Sequence, residues 1–389
     1  MAEPCPRGLS SQLRRRQSLA RGAIAEILDA SLSEKPVHLH LYAKRVKTFR
    51  FKRKPVKTAV DALAAYGGKV EKLIEQSLLR HADPEFADAI LYPIRTGGKR
   101  VRPALTILSC LASGGSEEQA YPAAAAVELV HNYSLILDDI IDHSEVRRSQ
   151  PTLWKKYGLS TAILVAVHYR ETVSELLNET PDPKLFNEIA ARTVKLIVDG
   201  ERLDILFEPA GRRDEPYIVS NRRRHVSLND YFAMIERKTA VLIQTACEFG
   251  ALSARAPPDY VRALSEYGYS LGMAFQVGDD IIDIFGVEEK TGKVVGGDIR
   301  EHKLGNIVLL LAVEEGSEKL REILSKNDVT SEDIKEAIEL VRRTSARERA
   351  ERIRNDYVQR ALKALEPLPE TEYKSILRDV AVFIMKREH

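Results

Sequence analysis

From about Val60 onward, apolar residues recur at intervals of three and four, the period of a half-buried helix. That recurrence predicts helices over Val70–Leu79, Ala123–Ile141, Ala190–Phe207, Tyr231–Leu252, Val261–Phe285, Ile307–Glu315 and Lys319–Leu324. It predicts three more over Ser331–Arg343, Ala346–Leu365 and Glu370–Lys386. Glycine and proline break the pattern at Gly97-Gly98, Gly114-Gly115, Pro181–Pro183, Pro209–Pro216, Pro257-Pro258 and Gly292–Gly297. Alternating strand patterns are scarce and no repeat recurs at a fixed period, so the expectation is one all-α helical body and not a solenoid. The longest apolar stretches, such as Ile307–Val313, fall far short of the ~20 residues of a membrane helix.

Two of these apolar helices carry acids where a core helix should have none. Leu135–Asp142 reads LILDDIID, with Asp138, Asp139 and Asp142; Phe275–Asp283 reads FQVGDDIID, with Asp279, Asp280 and Asp283. Residues four apart share a helix face, so each DDxxD aims two or three carboxylates into one space. Unpaired, such carboxylates would repel one another and lose hydration. Mg²⁺ removes that cost, because it binds through one or two carboxylates together with waters and substrate phosphates. One DDxxD alone reads as an exposed helix end. Two copies, 141 positions apart, read as facing helices that line a metal-filled cavity.

Composition adds an asymmetry. The 389 residues hold 59 Lys and Arg against 57 Asp and Glu, a net charge of +2, which excludes a wholly basic nucleic-acid binder and an acidic disordered chain. Residues 1–57 alone carry about +10, leaving about −8 for residues 58–389. The run Lys44–Lys54 (KRVKTFRFKRK) invites a reading as peripheral contact with anionic lipid or with nucleic acid. The plainer reading, and the favoured one, is an arm that is solvated or lies on the acidic body; no nucleic-acid partner is expected. The domain expectation is therefore a basic extension, 1–57, and a helical domain, 58–389. Cys5, Cys110 and Cys247 lack ligand spacing, and Met1–Arg7 has no apolar signal core, which together fit a reducing, cytoplasmic setting. Five arginines between Arg212 and Arg224 read as a solvent-facing loop.

A carboxylate–Mg²⁺ site needs an anionic substrate, and cations stand at suitable places. Gly97-Gly98-Lys99-Arg100, followed by Arg102 and Pro103, is a glycine turn running into a helix start. Arg147 and Arg148 follow Asp142 closely, and Lys238-Thr239 ends an amphipathic stretch. Lys293 and Lys303 flank the glycine-rich loop after the second cluster. His131 lies two turns before Asp138 on the same stripe. Each alone reads as a surface charge or, for His131, a satisfied core histidine; together they read as a diphosphate site.

GGKRVRP (97–103), DDIIDHSEVRRSQPT (138–152), GERLDILFE (200–208), KT (238–239), FQVGDDIID (275–283) and the GK…GGDIREHK stretch (292–303) stand in the order of one family. Over roughly 60–385 the chain resembles a trans-type polyprenyl diphosphate synthase, with features similar to archaeal geranylgeranyl diphosphate synthases. The resemblance implies an all-α isoprenoid synthase bundle, a homodimer, and a central cavity holding Mg²⁺, three ions in all. It implies head-to-tail condensation of isopentenyl diphosphate with an allylic diphosphate. On that resemblance, Asp138, Asp139, Asp142, Asp279, Asp280 and Asp283 hold the metal directly or through water. Arg147, Lys238 and Lys293 hold the allylic diphosphate, while Lys99, Arg100, His131 and Arg148 hold isopentenyl diphosphate. Lys238, Thr239, Gln276 and Lys303 line the reaction centre. Tyr133, with the small Ser134 beside it, forms the floor that limits chain growth, which implies a C20 product with C15 and C25 as neighbouring outcomes.

Four positions depart from the pattern: Ala166-Val167 stands for Gly-Asp, Glu201 for Gln, Leu304-Gly305 where Thr is expected, and Trp154 where His is common. A non-catalytic or regulatory subunit of a heteromeric synthase is the alternative, but such subunits tend to lose an aspartate cluster. A helical terpene cyclase would share the metal-triggered ionisation, yet it has no need of GGKR, His131 and Arg148. A basic-arm binding protein would place the function in 1–57.

Overall fold

Side-chain caps set where many of the helices begin. Thr58 accepts the Asp61 N–H ahead of α1 (Ala59–Gly67), and Ser116 and Gln119 form a capping box at the start of α5 (Glu117–Ile141). Asp182, followed by Pro183, opens α8 (Pro183–Leu206), and Asn306 accepts two N–H groups at the start of α14 (Ile307–Glu314). The computed structural model describes residues 58–223, 225–286, 295–301, 303–326 and 328–386. The basic arm 1–57 and Lys293 lie outside the described residues.

Between these lie α2 (Glu71–Leu79), α3 (Ala87–Arg95), α4 (Val101–Ala112), α6 (Leu153–Tyr157), α7 (Leu159–Leu177), α9 (Pro216–Asn221), α10 (Leu228–Ile235), α11 (Val241–Ser253), α12 (Pro258–Phe285) and α13 (Gly297–Arg300). After α14 come α15 (Glu318–Leu324), α16 (Ser331–Arg342), α17 (Ala346–Ala364) and α18 (Glu372–Lys386). The strands among the described residues are a two-residue pair, β1 (Val146–Arg147) and β2 (Gln150–Pro151). The all-α expectation holds.

Helix α11 packs on α4, α5 and α12, while α5 packs on α7 and α12 on α17. The two helices that carry the aspartates are thus both neighbours of α11. One core fills the space among α4, α5, α7 and α11; a second lies around α14 and the C-terminal half of α12. In α14 the run Ile307–Ala312 is buried on every face, each large side chain contributing about 1.5–3 kcal/mol. That burial anchors the end of α14 that touches the second aspartate cluster.

The differences from the periodicity are informative. The predicted run Tyr231–Leu252 is interrupted by a π-helical turn, Glu236–Ala240, between α10 and α11. Helix α7 has no sequence counterpart in the pattern, because its apolar residues lie on two faces. Val165, Tyr169 and Val173 are buried while Leu159, Ile163, Leu164 and Val167 are exposed. The pattern also omits α1 and α3, nine residues each. No helix among the described residues is long and apolar enough to cross a membrane.

Candidate functional site

Helix α5 ends at the first cluster, with Asp142 as its C-cap. Adjacent carboxylates on a helix point about 100° apart, and the structure uses that divergence. Asp138 and Asp142 are half-buried, whereas Asp139 is buried and accepts Arg147 Nε at 2.7 Å. Burial raises the pKa of Asp139, with Arg147 opposing; burial also raises that of Asp142, with Lys303 opposing.

The second cluster repeats this division. Asp279 and Asp283 are half-buried and Asp280 is buried. The Asp280 carboxyl accepts from Tyr231 OH at 2.8 Å, Gln276 Nε2 at 2.9 Å and the Ile307 backbone N–H at 3.0 Å. Burial, with Asp298 nearby, pushes its pKa well above the usual carboxylate range. The middle aspartate of each DDxxD is therefore buried and tied to protein donors, and the outer ones are half-buried.

The π turn joins the clusters. Lys238 Nζ lies 2.6 Å from Asp204, 2.8 Å from Glu201 and 3.6 Å from Asp138. The next residue, Thr239, donates to Gln276 at 2.8 Å, and Gln276 in turn holds Asp280. One turn thus presents a cation to the first cluster and a hydroxyl to the second helix. It approaches α8 so closely that a Cβ on Gly200 would stand 2.3 Å from the Lys238 backbone nitrogen. Burial disfavours the Lys238 charge, yet Asp204, Asp138 and Glu201 hold its pKa well above the ordinary value.

A second cation makes a similar link. Lys303 Nζ lies 3.4 Å from Asp142 and 4.0 Å from Asp204, while its backbone N–H donates to the Asp298 carbonyl. The Asp298 N–H donates to Asp283. Among the described residues no three carboxylates or imidazoles converge as a ready ligand group. Lys238 and Lys303 stand among the carboxylates instead, as cations stabilising the same charge. Hard oxygen donors around these two ammonium groups suit Mg²⁺, which needs only one or two direct carboxylates.

Toward the start of α4 the charge reverses. Gly97 and Gly98 have positive φ and lead through exposed Lys99 into the helix. Arg102 and His131 line one cavity with Asp138, Glu201, Lys238 and Thr239. Burial lowers the His131 pKa well below its ordinary value, and Arg102, Arg148, Arg147 and Arg100 lower it further. Arg148 and Ser149 form the turn of the β1–β2 pair, both with left-handed φ, although neither is glycine. Strain of that kind costs about 1–3 kcal/mol per residue and is held only where surrounding structure imposes it.

Not every predicted residue reaches the cavity. Arg100 is buried, with its guanidinium on Glu128 at 2.9 Å, Glu71 at 3.2 Å and the Ile94 carbonyl at 2.8 Å. It fastens the glycine turn to α5. Arg102 lines the cavity instead, and its buried Nε has no hydrogen-bond partner. Arg100 is the N-cap of α4 and Arg102 its second residue.

The cavity has a volume of about 470 Å³. Beyond its polar end the walls are apolar, from Leu137 and Ile141 of α5, Val194, Ile197 and Ile205 of α8, and Ile218 of α9. Tyr133 lines it, with a buried hydroxyl that has no partner and a pKa pushed up to about 12 by burial. Ser134 turns its hydroxyl back to the His131 carbonyl.

The loop expected to face solvent does so only in part. Arg213 and Arg223 are exposed, Arg222 is half-buried, and Arg212 is inserted against Asp142. The departures find local reasons too. Trp154 Nε1 donates to the Ser144 carbonyl at 2.8 Å, bracing the loop between Asp142 and Arg147. A side chain at Gly305 would crowd Met234 and Asp204, and the neighbouring Asn306 caps α14.

The family model described as Polyprenyl synthetase matches residues 83–341. A Methanothermobacter thermautotrophicus protein named short chain isoprenyl diphosphate synthase is 35% identical over 337 residues, covering 85% of this chain and 99% of that one. A Geobacillus stearothermophilus protein named heptaprenyl diphosphate synthase component 2 is 32% identical, covering 85% of this chain and 97% of that one. The fold superposes with a TM-score of 0.75 and 30% identity on a Caulobacter crescentus polyprenyl synthase complexed with calcium and isoprenyl diphosphate, covering 85% and 98% of the two chains.

Proposed function

Because the chain belongs to the polyprenyl synthetase family and is a trans-prenyltransferase, we propose that it extends an allylic diphosphate with isopentenyl diphosphate to a C20 product, geranylgeranyl diphosphate. The observation that carries the reading is a cavity lined by Asp138, Glu201 and Lys238 at one end and apolar at the other, with Tyr133 on its wall.

In this reading Asp138, Asp142, Asp279 and Asp283 hold Mg²⁺, three ions on the family's pattern, with Asp139 and Asp280 fixing their helices. The metal supplies charge neutralisation for the departing diphosphate. Lys238, with Arg147 and Lys293, binds the allylic diphosphate, and a preorganised cation at the developing negative charge is commonly the largest catalytic contribution. The allylic C–O bond breaks with its electron pair going to the diphosphate. The double bond of isopentenyl diphosphate, whose diphosphate Lys99, Arg102, His131 and Arg148 hold, supplies the electrons of the new C–C bond. The proton then leaves to the released diphosphate. Thr239, Gln276 and Lys303 flank this centre, and the apolar walls exclude water that would quench the cation. Cys110 and Cys247 are buried with thiols pushed up to about 12 by burial, in keeping with chemistry that needs no protein nucleophile.

A homodimer is part of the reading. Leu159, Ile163 and Val167 form an i, i+4, i+8 stripe on the exposed side of α7, apolar surface that suits a second copy. The likeness to a protein named as a heptaprenyl synthase component favours a second reading, a subunit that works with a different chain.

Purified protein given Mg²⁺, labelled isopentenyl diphosphate and each allylic diphosphate from C5 to C15 tests both. A C20 alcohol after dephosphorylation is expected. A longer product removes the Tyr133 floor, and no product from any primer favours the heteromeric subunit.

A further inference from the structure

Arg212 lies in none of the stretches that carry the resemblance, and sequence reasoning placed it in solvent. Its side chain is only 12% exposed. All five of its N–H donors are used. Nε and one Nη reach the two Glu208 oxygens at 2.8 and 3.1 Å, and that Nη also reaches Asp142 Oδ1 at 3.1 Å. The other Nη donates to the Ile141 carbonyl at 2.9 Å and to Glu215 at 3.2 Å. Lys303 approaches the second Asp142 oxygen. The turn that presents Arg212 is fastened in its own right, since Arg222 donates to the Pro209 and Gly211 carbonyls at 3.3 and 2.7 Å.

We propose that Arg212 is a positioning residue for the metal-binding carboxylate of Asp142. This rests on the metal-site reading above. Asp142 is the C-cap of α5, beyond the last helical turn, where the backbone alone does not fix a side chain. A planar guanidinium can hold the terminal Ile141 carbonyl and the Asp142 carboxylate at once, while a bidentate pair locks it to Glu208 beyond the end of α8. With every donor engaged, Arg212 has no N–H left for a phosphate, which separates it from Arg147, whose hydrogen bonds run from Nε and one Nη. A single ammonium cannot span these acceptors, so lysine is not an equivalent.

The test is a calorimetric titration of Mg²⁺ in the presence of inorganic diphosphate, alongside the Mg²⁺ dependence of turnover. For Arg212→Ala, the Mg²⁺ half-saturation should rise about 10–100-fold, the usual cost of losing a partner that orients a metal ligand. Arg212→Lys should fall between Ala and wild type. At saturating Mg²⁺, kcat should stay within about threefold, and Arg213→Ala, on the exposed side of the same loop, should match wild type. If Arg212→Ala does not fold, Arg212→Lys decides by the same titration. A folded variant with wild-type Mg²⁺ affinity overturns the proposal, whether or not its melting temperature or kcat has fallen. Wild-type protein without Mg²⁺-dependent turnover would instead overturn the reading on which the proposal rests.

Discussion

Glu201 stands where the family usually has Gln, and the change has a consequence at the scale of one side chain. Its Oε2 pairs with Lys238 at 2.8 Å and its buried Oε1 has no hydrogen-bond partner. Burial, opposed by Lys238 and reinforced by Asp138, pushes its pKa up to about 7 from an ordinary 4.5. The folded protein then retains a proton that the unfolded chain has lost, so stability falls as pH rises from about 4.5 through 7. Glu201→Gln should abolish that limb, gaining about 1–3 kcal/mol over wild type at pH 8 and less at pH 4, measured by denaturant unfolding. A pH-independent difference would remove Glu201 as its source. Arg102 is the other residue whose role emerges only in three dimensions. Arg102→Ala should raise KM for isopentenyl diphosphate about tenfold or more while leaving KM for the allylic substrate within about twofold, read from initial rates. The aspartate pairs were legible in sequence because acids inside an apolar helix need an explanation. The choice between Arg100 and Arg102 was not legible, because both are arginines near one helix start and only packing against Glu128 separates them.

At the scale of elements, α5 carries the first aspartate cluster, His131 and Tyr133 along its length, so the proposed metal site and the proposed floor share one rigid rod. Tyr133→Ala would open the cavity beside the aromatic ring. The product of that variant should lengthen by one or more C5 units, and an unchanged product would place the floor on other walls. The π turn Glu236–Ala240 was hidden inside a continuous apolar pattern, since its extra residue per turn leaves the neighbouring periodicity intact. It contains Lys238 and Thr239, and sends the first toward Asp138 and the second, through Gln276, toward Asp280. Helix α7 was invisible for the opposite reason, having apolar residues on both faces. Ile163→Glu would put a charge in the exposed stripe. If that stripe meets a second copy, the variant should elute as a monomer in size-exclusion chromatography with light scattering where wild type elutes as a dimer. An unaltered mass would place the contact elsewhere.

At the scale of the whole molecule, the arrangement is two aspartate-bearing helices neighbouring α11 and bound through Lys238, Thr239 and Lys303 into one site. The two clusters and the all-α class were readable from periodicity and acid placement, but several helices, α4 and α7 among them, were not. The cavity beside the first cluster was not readable either, because its walls come from α4, α5, α8, α9 and the π turn, far apart in sequence. The account stands on both clusters serving one reaction. The most direct measurement is therefore Mg²⁺-dependent turnover of Asp138→Ala and Asp279→Ala, each verified as folded by circular dichroism. The expected result is a loss of about a thousandfold or more in each variant, since removal of charge stabilisation at the reacting diphosphate costs on that order. Turnover near wild type in either folded variant would contradict a site built from both helices.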